Sequence, residues 1–209
     1  MEVKLLHYTP LSVADIAICK CYSNKPHSED EKRLNRIKTV ANQNKHASVI
    51  EHLVYSFDID GISRACLQEL ARHRIASYTV KSSRYTLQEL KEEKDIIVRH
   101  ISGKEVNYNI ASKYVILTGN RDVDDSICVA LSNLQNRVKD GTPNDIAKYH
   151  MPEAYKTLLV MTINARALQN FFQLRTNKKA LWEIQLLAKA MFDCLPEEHK
   201  PLFEEFIKC

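Results

Sequence analysis

Between Glu69 and Glu89 the chain contains no carboxylate. The deficit is local, because 26 acids offset 30 lysines and arginines over 209 residues and leave a net charge of +4. A balance so close to neutral excludes a polycation that coats nucleic acid by bulk charge. Glycine is scarcer still, with four residues and neither GxGxxG nor GxxxxGK[ST], so any phosphate bound here is held by side chains rather than a glycine-rich loop. HExxH and GxSxG are also missing. The six cysteines, at 19, 21, 66, 128, 194 and 209, form no CxxC pair and no zinc-ligand spacing, which points to reduced thiols. No stretch approaches the roughly 18 apolar residues of a membrane span, and the opening MEVKLLHYTP lacks the apolar run of a signal peptide. The expectation is a cytoplasmic protein of one domain, residues 1–209, without membrane contact.

The periodicities give a mixed chain. Residues 2–9 read as a strand feeding a short helix over 12–22. A helix over 28–45 is predicted to open on a capping box of Ser28 and Glu31. Residues 53–60 alternate Leu53, Tyr55, Phe57 and Ile59 as a strand that Gly61 ends. Ile62, Cys66 and Leu70 then fall in helical register, so that 72–74 close a helix over 62–74. Tyr78 and Val80 read as extended, and 95–101 as a strand. A helix from Val123 is expected to stop before Gly141, and a second segment to start at Thr142-Pro143. The apolar run 156–163 leaves helix and strand open. Helices over 164–175, 179–194 and 197–208 complete a helix-rich C-terminal half.

Into the acid-free segment the chain places Arg72, His73, Arg74, Lys81 and Arg84 among seven hydroxyl side chains. A solvated basic surface normally interleaves Glu or Asp; without them these cations lack a local partner, and an external anion takes that place. Arginine forks with hydroxyl donors suit a phosphate ester, in a nucleotide or a nucleic acid. Stacking of single-stranded RNA on the Tyr-rich segment is the competing use, against which the near-neutral total charge counts. A second stretch, 164–175, is expected as a helix capped by Asn164, with Ala167, Phe171 and Leu174 on a core face and Arg166, Asn170 and Gln173 on a polar face. The third, HASVIEH at 46–52, spaces two histidines too far apart for a familiar metal site, and a structural or cofactor-contacting turn is the better reading. Among nucleophiles Ser82 has the most cationic context, but no base can be assigned to it, so it reads first as a hydrogen-bond donor.

The string RHRIASYTVKSSRY resembles the signature of the flavin-dependent thymidylate synthases: RHR, seven residues, Ser82, and then Arg84. HASVIEH resembles that family's His-x-Ser/Thr-x-x-Glu-His segment, and NARALQNFFQLR with the later WEIQ its downstream block. The resemblance implies an α+β fold, a single mixed α/β domain with a central β-sheet flanked by helices. It implies transfer of a methylene carbon from 5,10-methylenetetrahydrofolate to dUMP and reduction by NADPH through FAD. It carries FAD onto Ser48, Arg72, His73, Arg74, Val80, Asn164, Arg166 and Asn170. It carries dUMP onto Glu69, Arg72, Lys81, Ser82, Ser83, Arg84, Lys148 and Arg175, with Arg175 and Ser82 in the catalytic group and no metal. It further implies a homotetramer with sites shared between subunits and no nucleic-acid partner. Within that pattern Glu69 stands where Gln is common, Val80 where Glu is common, Ser83 where Gly is usual, Lys148 in the place of an Arg, and Lys179 where a His occurs.

Overall fold

A computed structural model describes residues 1–84, 87–100 and 103–208, with backbone alone at 99, 100, 103 and 104. The first half runs β1 (Glu2–Tyr8), α1 (Leu11–Tyr22), α2 (Asp30–Ile37), β2 (Val54–Ser63), α3 (Arg64–Leu70), β3 (Ala76–Val80), α4 (Glu89–Glu92), β4 (Ile97–His100) and β5 (Gly103–Val106). The second half adds α5 (Tyr108–Tyr114), α6 (Arg121–Lys139), α7 (Asn144–Ala147), β6 (Lys156–Asn164), α8 (Ala165–Arg175) and α9 (Trp182–Asp193). Two compact units result: one from Met1–Asp60, Glu69–Thr79 and Leu159–Cys209, the other from Gly61–Gln68 and Val80–Leu158.

The first unit is built on a four-stranded sheet in the order β1-β2-β6-β3. β1 pairs antiparallel with β2, from Glu2 opposite Asp60 to Tyr8 opposite Tyr55, with a register shift between Leu5 and His7. Alternation decides which face is core: Leu53, Tyr55, Phe57 and Ile59 are fully buried, as are Leu159, Met161 and Ile163 two residues apart on β6. Burying each such side chain contributes about 1.5–3 kcal/mol. Phe171 and Phe172 of α8 join this core, and Phe203 sets its ring edge-on to Phe172 at 5.6 Å and to Tyr55 at 5.7 Å. Polar groups caught in the core are paired. Gln169 Nε2 donates to Asn42 Oδ1 at 3.0 Å and to the Leu202 carbonyl at 2.9 Å, and the Tyr55 hydroxyl lies 2.7 Å from His199 Nδ1. Burial lowers the pKa of His199, which keeps that contact neutral.

In the second unit Cys128, Leu131, Leu134 and Val138 of α6 pack against Leu87, Leu90, Ile96, Ile110 and Tyr155. Asn120 caps α6 by accepting from the Val123 amide at 3.2 Å. Past the helix end Gly141 has φ +80°, a left-handed position where any Cβ is strained.

Several expectations change in detail. The helix from 28 starts at Asp30 behind Glu29, with no side-chain cap, so Ser28 and Glu31 form no capping box, and the chain continues as a π-helical turn over Lys38–Gln43. Gly61 does not end β2; its φ of +76° shifts the strand's phase and β2 continues to Ser63. α3 stops at Leu70, so 72–74 lie beyond the helix rather than in its last turn. The strand expected over 95–101 is β4, hairpin partner of β5, and Ile101 lies outside the described residues. The run 156–163 resolves as strand β6. Residues 197–208 form two short 3-10 turns, Lys200–Leu202 and Glu204–Phe206, instead of one helix.

Candidate active site

Strand β6 passes straight into α8, and the joint is fixed by chemistry the sequence supplies. Asn164 accepts from the Ala167 amide at 2.9 Å as N-cap, and the Ala165 amide donates to the Leu53 carbonyl at 2.8 Å. α8 buries Ala165, Leu168, Gln169, Phe171 and Phe172, which leaves Arg166 and Asn170 outward as expected. Its apolar face is rotated from the expected one, however: Leu174 is exposed, and with Ala167 it borders a cavity instead of the core.

That cavity, of about 950 Å³, is lined by Glu51, Glu69, Arg72, His73, Arg74, Ile75, Asn164, Arg166, Ala167, Asn170, Leu174 and Arg175. Eight of the residues singled out from sequence meet there: Glu69, Arg72, His73, Arg74, Asn164, Arg166, Asn170 and Arg175. They come from sequence segments 90 or more residues apart, the end of α3 with the turn after it and the joint of β6 with α8. Four arginines against two glutamates leave the lining at a net +2. The volume lies near the top of the roughly 300–1,000 Å³ usual for small-molecule sites.

The cations differ in what they already hold. Arg166 Nη1 lies 2.6 Å from Glu51 Oε1, an exposed pair that contributes little to stability. Arg175, in the last turn of α8 where a cation is favoured, donates from Nε to His73 Nε2 at 2.9 Å, from Nη1 to Glu69 Oε2 at 2.7 Å and from Nη2 to the Glu69 carbonyl at 3.0 Å. Lys81 pairs with Glu89 at 2.9 Å. The acids bounding the acid-free segment thus serve its neighbourhood, and the expectation that its cations lack a local partner fails for Lys81, which pairs with Glu89; likewise the polar face of α8 finds Glu51 and Glu69. Arg72 and Arg74 remain exposed, with no ion pair among the described residues.

His73 is buried, with its ring edge-on to Phe171 at 4.9 Å. Burial first, and the Arg175 charge second, bring its pKa down to about 4 against the opposing pull of Glu69. At neutral pH the ring is therefore uncharged, with Nε2 accepting from Arg175 and the proton on Nδ1. The turn before it is fixed by Tyr78, whose hydroxyl lies 3.0 Å from the Leu70 carbonyl and 2.8 Å from that of His73 and is pushed up to about 12 by burial.

Ser48 lines a neighbouring cavity of about 310 Å³ with Tyr22, Lys45 and His46, and Arg166 borders both. The HASVIEH segment is a 3-10 turn, Ala47–His52, in which the Tyr22 hydroxyl lies 3.1 Å from His46 Nδ1. Val80, Lys81, Ser82, Ser83, Arg84 and Lys148 belong to the second unit. There the Lys81 amide donates to the Leu158 carbonyl at 2.9 Å, and Asn144 Nδ2 to the Arg84 carbonyl at 2.9 Å. Among the described residues no group of three or more His, Cys, Asp or Glu could hold a metal ion, and no helix is long and apolar enough to cross a membrane. Sequence reasoning passed over Ile75, Ala167 and Leu174 as lining; the only signal for Ile75 was an aliphatic residue directly after three basic ones.

Residues 4–199 match the family described as thymidylate synthase complementing protein. A flavin-dependent thymidylate synthase of Campylobacter jejuni is 50% identical over 206 residues, covering 98% of this chain and 96% of that protein. One from Helicobacter pylori is 48% identical over 211 residues, covering all of both. The crystal structure of thymidylate synthase X from Helicobacter pylori with FAD and dUMP matches with a TM-score of 0.92 and 47% identity over the whole of both chains. A UMP/dUMP methylase from Streptomyces cacaoi, at 20% identity and a TM-score of 0.69, shares the fold. With its basic cavity assembled from the same three sequence blocks and its whole length matched, this chain belongs to the flavin-dependent thymidylate synthase family.

Proposed function

We propose that the protein converts dUMP to dTMP, with 5,10-methylenetetrahydrofolate as one-carbon donor and NADPH as reductant through FAD, releasing tetrahydrofolate. The observation that carries this reading is the convergence of Arg72, His73, Arg74, Asn164, Arg166, Asn170 and Arg175 on one cavity with a net +2 lining. A dianionic dinucleotide suits that surplus, and with no glycine loop at hand the side chains of Arg72 and Arg74, which pair with no acid among the described residues, are the groups to hold its phosphates. FAD, when bound, supplies the redox chemistry of the transfer. The solved structure of the Helicobacter pylori relative, with FAD and dUMP, supports the assignment of both ligands.

In this reading Ser48, Arg72, His73, Arg74, Val80, Asn164, Arg166 and Asn170 serve FAD. Glu69, Arg72, Lys81, Ser82, Ser83, Arg84, Lys148 and Arg175 serve dUMP. Val80 offers FAD only its backbone, and Lys148 offers phosphate a point charge where an Arg would offer a fork. Carbon 5 of uracil becomes nucleophilic as negative charge develops on the ring, and a guanidinium near N3 and O2 stabilises that charge without accepting a proton. Arg175 is that group, and Ser82 orients the nucleotide. The two units act as one domain in a homotetramer whose subunits share sites, in the cytoplasm, consistent with a family match that spans residues from both.

The test is complete turnover: purified protein with dUMP, 5,10-methylenetetrahydrofolate, NADPH and FAD is expected to yield dTMP, and omission of dUMP, the folate or NADPH, or removal of the flavin, to stop it. Formation of dTMP without added or bound flavin would overturn the reading.

A further inference from the structure

Three of the five N–H groups of Arg175 are already committed inside the protein, one to His73 and two to Glu69. The Glu69 carbonyl belongs to the last turn of α3, and the His73 ring is buried against Phe171. Arg175 itself is only 16% exposed. We propose that Glu69 and His73 are positioning residues for Arg175, clamping its guanidinium so that it meets the ligand in one orientation with the two N–H groups that have no partner among the described residues. The inference rests on the reading of Arg175 as the uracil-facing group.

The chemistry of each anchor fits the role. An imidazolium has no lone pair to accept from Arg175, and the depressed pKa of His73 keeps the accepting form present throughout the neutral range. The Glu69 carboxylate adds a charge-assisted bond and offsets part of the guanidinium charge, so that Arg175 presents directed donors more than a free cation. Glutamine at 69 would still accept through its amide oxygen, and the backbone carbonyl would be unaffected. A clamped guanidinium loses far less freedom on binding than an unrestrained arginine side chain.

A double-mutant cycle on the FAD-loaded protein separates this role from direct contact with the nucleotide. Glu69→Ala is expected to weaken dUMP binding by about 10- to 100-fold in the native background and by less than about threefold in an Arg175→Ala background, with Glu69→Gln recovering most of the loss. Equal weakening in both backgrounds, or none in the native one, would overturn the proposal. Ring ¹⁵N resonances of His73 in ligand-free protein give a readout that needs no substrate. The native chain should show the neutral Nδ1-protonated ring with Nε2 accepting a hydrogen bond, and Glu69→Ala should weaken that bond. A protonated Nε2 in the native chain, or an Nε2 signal unmoved in Glu69→Ala, would sink the clamp. Absence of any dUMP binding by native protein would instead fail the functional reading, while the His73 resonances would still decide the clamp.

Discussion

Replacing Arg175 by Ala removes three hydrogen bonds at once, and the surroundings determine how that loss divides between stability and activity. The Glu69 side chain is 47% exposed, so its carboxylate regains water when the guanidinium is gone. His73 Nε2 loses its donor, but the space vacated opens it to solvent. Stability should therefore fall by about 1–2 kcal/mol, which for a chain of this size lowers the melting temperature by about 2–8 °C. Turnover should suffer far more. A preorganised donor at a site of developing charge is worth about 10²–10³ in rate, or about 3–4 kcal/mol. A thermal melt followed by circular dichroism and a dTMP-formation assay on the same preparation read the two effects. A variant that turns over dUMP within tenfold of the native protein would remove Arg175 from the chemistry. A variant that is inactive because it no longer melts cooperatively would show that the three bonds are structural.

Other consequences follow from the same packing. Because the folded His73 titrates near 4 and an unfolded histidine near 6.5, the unfolded chain binds the extra proton between those values, and stability falls as pH drops from about 6.5 to about 4. Up to about 3 kcal/mol is at stake, and denaturant melts at pH 7.5 and pH 4.5 should differ less in a His73→Phe variant than in the native protein. Asn164→Ala should cost α8 its cap, about 0.5–2 kcal/mol in a denaturant titration, and weaken FAD binding; unchanged stability would mean that the bond to the Ala167 amide is not formed. Ser82→Ala should impair activity without abolishing it. Complete loss of turnover with dUMP binding retained would reopen the reading of Ser82 as a nucleophile.

Period and cap chemistry made most elements legible. Leu53, Tyr55, Phe57 and Ile59 alternate because one face of β2 meets the core, and Asn164 before an apolar helix is a start signal that the structure obeys. What local pattern left hidden depends on distant partners. Glu69 lies 106 residues from Arg175, and Glu51 lies 115 from Arg166, so neither neutralisation appears in the composition around its arginine. The phase of α8 is hidden from periodicity because Leu174 is apolar yet borders the cavity, while the amide of Gln169 is buried on Asn42 and the Leu202 carbonyl. Gly61 looked like a strand end because glycine usually breaks a strand, but here its positive φ lets β2 change face and continue. The three blocks that marked the cavity were legible for a different reason: they concentrate arginine and amide side chains that an ordinary amphipathic surface would mix with acids.

Reduction of a flavin held in this cavity should depend on the nucleotide. Anaerobic titration of the purified protein with FAD, followed by NADPH with and without dUMP, tests it directly by visible absorbance. A perturbed, protein-bound flavin spectrum that bleaches faster when dUMP is present is expected. A flavin spectrum identical to that of free FAD at every protein concentration, or bleaching indifferent to dUMP, would contradict it.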